Sequence, residues 1–261
     1  MHPLVSALQD RRSTERFGRA MRGFEAVSST NTRAAAWAQD GAPEGSVVLA
    51  DHQSAGRGRH GRPWADAPGR NLLLSVVLRP TLPPDRFGRI MMAASVAVAA
   101  TVDEAVPGRA QIKWPNDILL RGRKCCGMLL ESSHTGAASD PAVAILGIGL
   151  NVNQTSFPPE VADTAISLQL AAQRPISRAA VGAALLAQLE RRYDAIATNV
   201  ESVRSAYLDR LVQLGQTVSF RAPDTGRRLR GTARGITTSG ALQLETPSGS
   251  HTLHAGDVTS R

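Results

Sequence analysis

The chain is 261 residues long, 42% hydrophobic and 20% charged, with 30 basic against 22 acidic side chains and a formal net charge of +8. Such a chain holds one sizeable core plus a small second unit, and its longest apolar run, Ile90 to Val102, is interrupted by Ser95 and too short to cross a membrane. The two cysteines are adjacent, Cys125 and Cys126, which excludes a disulfide framework and metal-ligand spacing, and the positive charge is not interleaved with aromatics as a nucleic-acid surface requires.

Residues 1–23 are polar and arginine-rich, without clear periodicity and without the apolar stretch of a signal peptide. They read as a frayed arm or a short helix, and the protein as cytoplasmic. Phe24 to Val27 reads as a short strand. Ser28-Ser29-Thr30-Asn31 precedes the alanine-rich run Ala34 to Ala38, so a helix starts here with N-cap candidates in front. The same hydroxyls and N–H groups suit a polar ligand at a helix N-terminus. Ser46 to Asp51 is an apolar strand that delivers Gln53 and the stretch Ser54-Ala55-Gly56-Arg57-Gly58-Arg59-His60-Gly61-Arg62-Pro63-Trp64.

That stretch cannot pack as core. Glycine lets the main chain approach a ligand closely, successive N–H groups can form an anion-binding concavity, and arginine adds forked donors. Trp64 offers a flat face for stacking. Alone, the pattern fits a solvated arginine loop equally well.

Asn71 to Leu78 is the next strand, closed by Pro80 and the turn Pro83-Pro84-Asp85. Arg86 to Val106 reads as a long buried helix. In Gln111 to Leu120 two strand pieces flank Trp114-Pro115-Asn116-Asp117, where proline forces a bend and presents Asn116 and Asp117 at a corner. Lys124 to Glu131 is an apolar strand with its lysine at the entrance, His134 to Pro141 a turn, and Ala142 to Leu150 a strand whose Gly147 and Gly149 mark close approach of a ligand or another backbone. Lysine occurs at Lys113 and Lys124 only, which suggests a need there for a compact ammonium rather than a guanidinium.

Gln154 to Gln173 looks irregular, and Ile176 to about Leu211 has helical spacing. Past Leu214 short strands follow (Thr217–Arg221, Arg228–Gly235, Ala241–Glu245, Ser250–His254), with turns at Asp224–Gly226, Ser239-Gly240 and Ser248-Gly249. The expected division is an N-terminal arm over 1–23, a main domain over 24–214 and a small antiparallel barrel over 215–261. His2, His52, His60, His134, His251 and His254 have no metal-ligand spacing, so no metal site is assigned to side chains.

Gly-Arg-Gly-Arg-His-Gly-Arg, Lys-Trp-Pro-Asn-Asp, Lys-Cys-Cys-Gly-Met-Leu-Leu-Glu and Gly-Ile-Gly-Leu-Asn-Val-Asn, in this order and preceded by Ser29-Thr30-Asn31, resemble the biotin protein ligases. The resemblance runs from about Phe24 to the C-terminus. It implies an α+β fold, a mixed sheet with packed helices in the manner of class II synthetases, followed by a small SH3-like β-barrel. It also implies a two-step reaction. Biotin's carboxylate attacks the α-phosphate of ATP, giving biotinyl-5′-AMP and pyrophosphate; a lysine of a biotin carboxyl carrier domain, as in acetyl-CoA carboxylase, then displaces AMP.

Two anions must meet in such a site, so cationic donors have to offset their repulsion. By this resemblance Lys124, Arg59 and Asp117 are the catalytic candidates, with Asp117 either binding Mg²⁺ or helping to deprotonate the incoming lysine. Ser29, Thr30, Asn31, Gln53, Gly56, Arg57, Gly58, Arg59, Lys124, Gly127 and Gly149 fall to biotin. Arg57, Arg59, Trp64, Lys113, Asn116, Lys124 and Asn151 fall to ATP. Trp114 reads as a packing anchor. The chain would work as a monomer or homodimer with the carrier domain as partner.

The sequence departs from the family at two places. Members that also repress transcription carry an N-terminal winged helix, for which the 23 residues before Phe24 are too few, so specific operator binding is not expected. The Cys125-Cys126 pair raises a question of oxidative sensitivity. The rival readings are a lipoate or octanoate ligase of the same fold and a basic nucleic-acid-binding module, the latter disfavoured by 4% aromatic content.

Overall fold

The computed structural model describes residues 1–133, 142–221, 226–254, 256 and 258–260. The expected turn His134–Pro141 and the start of the turn at Asp224 lie outside them.

The stretch before the first strand is a helix, α1 (Pro3–Gln9), not a frayed arm. Leu4, Val5 and Leu8 enter the main core together with Phe17. Leu8 packs on α5 (Arg178–Thr198), where a Cβ at Gly182 would come 2.7 Å from Leu8 Cδ2. The turn that follows is pinned by one carboxylate. Glu190 of α5 accepts the backbone N–H groups of Glu15 (3.0 Å), Arg16 (2.8 Å) and Phe17 (2.8 Å).

Strands β1 (Met21–Val27), β2 (Val47–Gln53), β3 (Leu72–Leu78), β4 (Gln111–Lys113), β5 (Asp117–Leu120), β6 (Arg123–Ser133) and β7 (Val143–Leu150) form one sheet in the order β1-β2-β3-β7-β6-β5-β4. Only β1 and β2 run parallel; all other neighbours are antiparallel. The central β3, LLLSVVL, is buried along its whole length because both faces are covered. Its Leu72, Leu74, Val76 and Leu78 meet the helices of the main core. Val77, with Val48 and Ile145, meets Ala34 and Ala38 of α2 (Thr30–Gln39).

The long helix α3 (Gly88–Ala105) is buried around most of its surface, and its Ser95 and Thr101 hydroxyls donate to the carbonyls of Met91 and Ala97 four residues back. The stretch read as irregular contains a single short helix, α4 (Leu168–Ala172), capped by Ser167. The expected helix over 176–211 is broken in two, α5 and α6 (Val200–Leu208). Asn199 leaves helical geometry at φ −150° and caps the second helix through Ser202 N. No helix of the described residues is long and apolar enough to cross a membrane.

Past α6, strands β8 (Thr217–Arg221), β9 (Arg228–Ile236), β10 (Leu242–Thr246), β11 (Gly249–Leu253) and β12 (Thr259–Ser260) make a five-stranded antiparallel sheet in the order β11-β10-β9-β8-β12. It is fastened to the larger sheet's β4–β5 corner by Trp114, whose buried indole donates to Gly240 O (3.1 Å), and to α6 by Arg204, which donates to Ile236 O (2.7 Å). Trp114 is thus the packing anchor expected of it.

Candidate active site

α2 shields only part of its face of the sheet. Beyond its N-terminus lies a cavity of about 440 Å³, floored by β6 and β7. Ser29 is the helix N-cap by position, but its hydroxyl makes no capping bond and lines the cavity instead. Thr30 donates through N–H and hydroxyl to Gln53 Oε1 (2.8 and 3.0 Å). Asn31 donates to Glu131 Oε2 (2.6 Å). Ser75 Oγ lies 2.6 Å from Asn31 Oδ1 and 2.8 Å from Thr30 Oγ1, with one proton for the two. This wall is therefore a connected polar network.

The glycines of the floor are where other groups approach. A Cβ at Gly147 would lie 2.3 Å from Asn31 Oδ1. Gly127 and Gly149 are directly paired across β6 and β7, and Cβ atoms there would meet the Trp64 indole at 2.8 and 2.7 Å. The expected close approach at Gly149 is thus made by this chain's own tryptophan. Trp64 is held over the pair by the loop that carries it. Trp64 N donates to Gly56 O (2.9 Å) and Gly58 N to Arg62 O (2.7 Å). At the tip His60 and Gly61 both have positive φ, 58° and 71°, which glycine adopts readily and histidine rarely does.

Arg57 and Arg59 fix the loop sideways. Arg57 lies 3.6 Å from Glu131 Oε1 and 3.4 Å from Thr32 Oγ1; Arg59 donates to Gly256 O at 3.2 Å. Gly56 does not line the cavity, contrary to its expected place there. It sits tightly between Gln53 and Trp64: a Cβ would be 3.1 Å from Gln53 Nε2 and 3.3 Å from Trp64 Cβ, so that a neighbour would have to give by a few tenths of an ångström.

Lys124 reaches the cavity through an irregularity in pairing. Opposite β5, Gly127 faces Asp117 and Cys126 faces Ile118, but Leu119 faces Lys124, so Cys125 is an extra residue without a partner on that side. In a regular strand residues 124 and 127 point to opposite faces. One inserted residue reverses that parity. Lys124 consequently shares the face of Gly127, its Nζ 2.7 Å from Asp117 Oδ1 and 5.5 Å from the Trp64 ring centroid. Its backbone is clamped by Thr164 and Ile166 (Lys124 N to Thr164 O 2.7 Å, Ile166 N to Lys124 O 3.0 Å).

Arg57, Arg59, Arg62, Lys113 and Lys124 line the cavity against one carboxylate among the described residues, Asp117. Three buried polar atoms of its wall lack a hydrogen-bond partner among the described residues: Asp117 Oδ1, whose contact is the Lys124 ion pair, and Trp64 Nε1 and Asn151 Oδ1, which have none; such atoms call for a ligand or water. Asn151 is otherwise tied to Ile166 O through Nδ2 (3.2 Å). Asn116 lines the cavity too, but its Nδ2 is committed to Met128 O (2.8 Å), leaving Oδ1 for any ligand. Cys125 and Cys126 are fully buried. Burial pushes the Cys125 thiol up to about 12 and that of Cys126 well above its ordinary value, which disfavours the reactive thiolate.

Three residues that bond to the cavity wall from behind had no role assigned from sequence. Glu131 closes the last motif of its strand without any pattern to distinguish it from a surface glutamate. Ser75 is the lone polar residue in β3, a visible signal. Asp66 stands in a stretch with no motif.

Residues 23–151, which carry the cavity floor, the loop and both lysines, match the Biotin/lipoate A/B protein ligase family. A narrower assignment follows from the remainder of the chain. Residues 214–259 match the Biotin protein ligase C terminal domain. The chain is 36% identical over 253 residues to the bifunctional ligase/repressor BirA of Bacillus subtilis, covering 94% of this chain and 75% of that one. It is 36% identical over 237 residues to the biotin–[acetyl-CoA-carboxylase] ligase of Mycobacterium tuberculosis, covering 89% and 85%. The biotin protein ligase of Aquifex aeolicus, solved in complex with biotin and ATP, shares the fold with a TM-score of 0.79 at 24% identity, over 93% of this chain and 99% of that one. This chain belongs to the biotin protein ligase family.

Proposed function

We propose that the cavity binds biotin and ATP side by side and joins them as biotinyl-5′-AMP, and that the biotinyl group then passes to a lysine of a carboxylase's carrier domain. The observation that carries this reading is the imbalance of five cationic side chains against one carboxylate around a cavity with an uncharged polar wall. A carboxylate and a triphosphate repel unless such donors are already in place.

In this reading Ser29, Thr30, Asn31 and Gln53 hold the neutral ring of biotin. Gly58 leaves room along its length, Gly127 and Gly149 let the Trp64 ring lie on the floor beside it, and Gly56 supports Gln53 and Trp64 from behind. Trp64 covers the adenine, and Lys113, Asn116 and Asn151 contact the nucleotide. Arg57, Arg59 and Lys124 bring the biotin carboxylate and the α-phosphate together. A carboxylate oxygen attacks phosphorus, and the bond to the bridging oxygen breaks as pyrophosphate leaves with the electron pair. In the second step the carrier amine attacks the acyl carbon, AMP leaves with the electron pair of the anhydride bond, and Asp117 is our candidate for taking the amine's proton.

Magnesium would enter with the nucleotide. Among the described residues no group of three His, Cys, Asp or Glu side chains could hold a metal, and Asp117 is already paired with Lys124. The residues present do not fit a protein-held metal, and no step is routed through one.

We further read residues 24–214 as the catalytic domain and 215–261 as a small SH3-like barrel, in a cytoplasmic enzyme. The stretch ahead of β1 is committed to packing on α5, so no operator-binding role is assigned to it. Biotin-dependent ATP–pyrophosphate exchange tests the reading. Exchange with biotin and none with lipoate is expected. Exchange with lipoate alone would favour the rival of the same fold, and none with either would sink adenylation altogether.

A further inference from the structure

Asp66, two residues beyond Trp64, has a side chain with 0% exposure. One of its oxygens accepts from His52 Nδ1 (2.6 Å) and the other from Gln53 N (3.1 Å). His52 and Gln53 end β2 immediately before the glycine–arginine loop, so one buried carboxylate ties the end of the loop to its beginning. A neighbouring bond, Gly69 N to Asp51 O at 2.9 Å, closes the same seam. Buried carboxylates are costly unless satisfied, and this one, on the outgoing stem of the loop, is satisfied by two groups of the incoming stem.

Two further ties make the closure matter. Gln53, whose N–H meets Asp66, accepts both Thr30 bonds through its side chain. Trp64, anchored two residues before Asp66, lies on the Gly127–Gly149 floor. A shift at the seam therefore displaces the polar wall and the aromatic cover together.

We propose that the His52–Asp66 pair is a clamp that positions Gln53 and Trp64 for substrate, neither of its members touching the reacting atoms. The inference rests on the reading of the cavity as the biotin and ATP site. Its effect is on binding: a loosened clamp enlarges the set of loop arrangements that ligand must select among, which raises KM and leaves the chemical step alone.

The test compares the parent enzyme with Asp66→Ala and His52→Ala by two readouts. One is ATP–pyrophosphate exchange at varied biotin. The other is the rate of tryptic cleavage after Arg57 and Arg59, which needs no activity. We expect the KM for biotin to rise about tenfold, as losing hydrogen bonds to a charged group would give, with kcat within about twofold and faster cleavage of the loop. Asp66→Asn, which keeps an acceptor for Gln53 N–H, should recover part of both. A folded Asp66→Ala with the parent's KM and cleavage rate overturns the proposal, and so does a fall in kcat alone. Should Asp66→Ala fail to fold, His52→Ala, at a partly exposed position, decides on the same two readouts. If the parent shows no exchange with biotin, the functional reading fails while the cleavage comparison still decides on the clamp.

Discussion

Lys124 Nζ stands 2.7 Å from Asp117 Oδ1, on the only stretch of β6 where an unpaired residue lets a lysine share the face of Gly127. The pair is partly exposed, and such pairs contribute about 0–1 kcal/mol to stability. Lys124→Ala should therefore fold and melt close to the parent. Its biotin-dependent ATP–pyrophosphate exchange should fall by about 10²–10³, the loss typical of a donor aimed at developing charge. Lys124→Arg should not restore it, because a planar fork does not replace a compact ammonium. Exchange near the parent's rate in Lys124→Ala would remove this residue from the mechanism.

Gly149→Ala probes the tryptophan cover. Its Cβ would lie 2.7 Å from Trp64 Cε2, on a flat ring that cannot bend away by itself. Because Trp64 sits on a loop, the side chain should be expelled rather than the strand distorted. Little stability should be lost, well under the 1–3 kcal/mol of an overpacked core, roughly speaking. Tryptophan fluorescence should shift to the red and the KM for ATP should rise. An unshifted spectrum together with an unchanged KM would mean that the indole is not held on the glycine pair.

Both thiols should be inert in the native enzyme. Cys125 and Cys126 are fully buried, and burial keeps them protonated at neutral pH. A disulfide-exchange reagent should titrate neither before denaturation and both afterwards. Rapid modification of the folded protein with loss of exchange activity would contradict the packing described for β6.

Glu190 predicts an acid-sensitive attachment of the N-terminal helix. Burial alone would raise its carboxyl, but the backbone N–H groups of Phe17, Glu15 and Arg16 and the Arg16 charge hold it below the ordinary carboxylate range. A folded-state pKa below the unfolded one means that the stabilisation is complete above the unfolded value. It then drains away as pH falls through the folded one. Glu190→Ala should cost about 2 kcal/mol near neutrality, the order expected for hydrogen bonds to a charged acceptor. Denaturant unfolding at a series of pH values should show parent and variant converging in acid; a constant gap would rule out this titration as the cause.

The sequence was most readable where local chemistry decides the outcome. β3 is an apolar run broken only by Ser75, α3 an alanine-rich one, and Gly147 and Gly149 announced close contacts that Asn31 and Trp64 make. The break at Asn199 was missed because helical spacing continues across it, and only a non-helical φ with a side-chain cap interrupts the chain. For residues 1–23 the sequence left a frayed arm and a short helix open, and the choice could not be made because the carboxylate that anchors the turn after α1 lies 173 to 175 positions away. Within the site, residue identities were legible but the way Lys124 faces was not. Side-chain parity along β6 depends on how β5 pairs with it, and no periodicity within one strand reports its partner's register.

Cys125 itself can be exchanged for another small apolar residue without turning Lys124 around, since the bulge needs one more residue than its partner strand and sets no demand on chemistry. Removing that one extra position would make the pairing with β5 regular and leave the lysine two residues from Gly127, still on its face, whereas regularising the pairing with every residue kept would turn the ammonium from the pocket into the packed interior. Divergence in this part of the enzyme is therefore constrained by the agreement between count and pairing: spelling can drift, but a letter lost or gained must be matched by a bulge lost or gained.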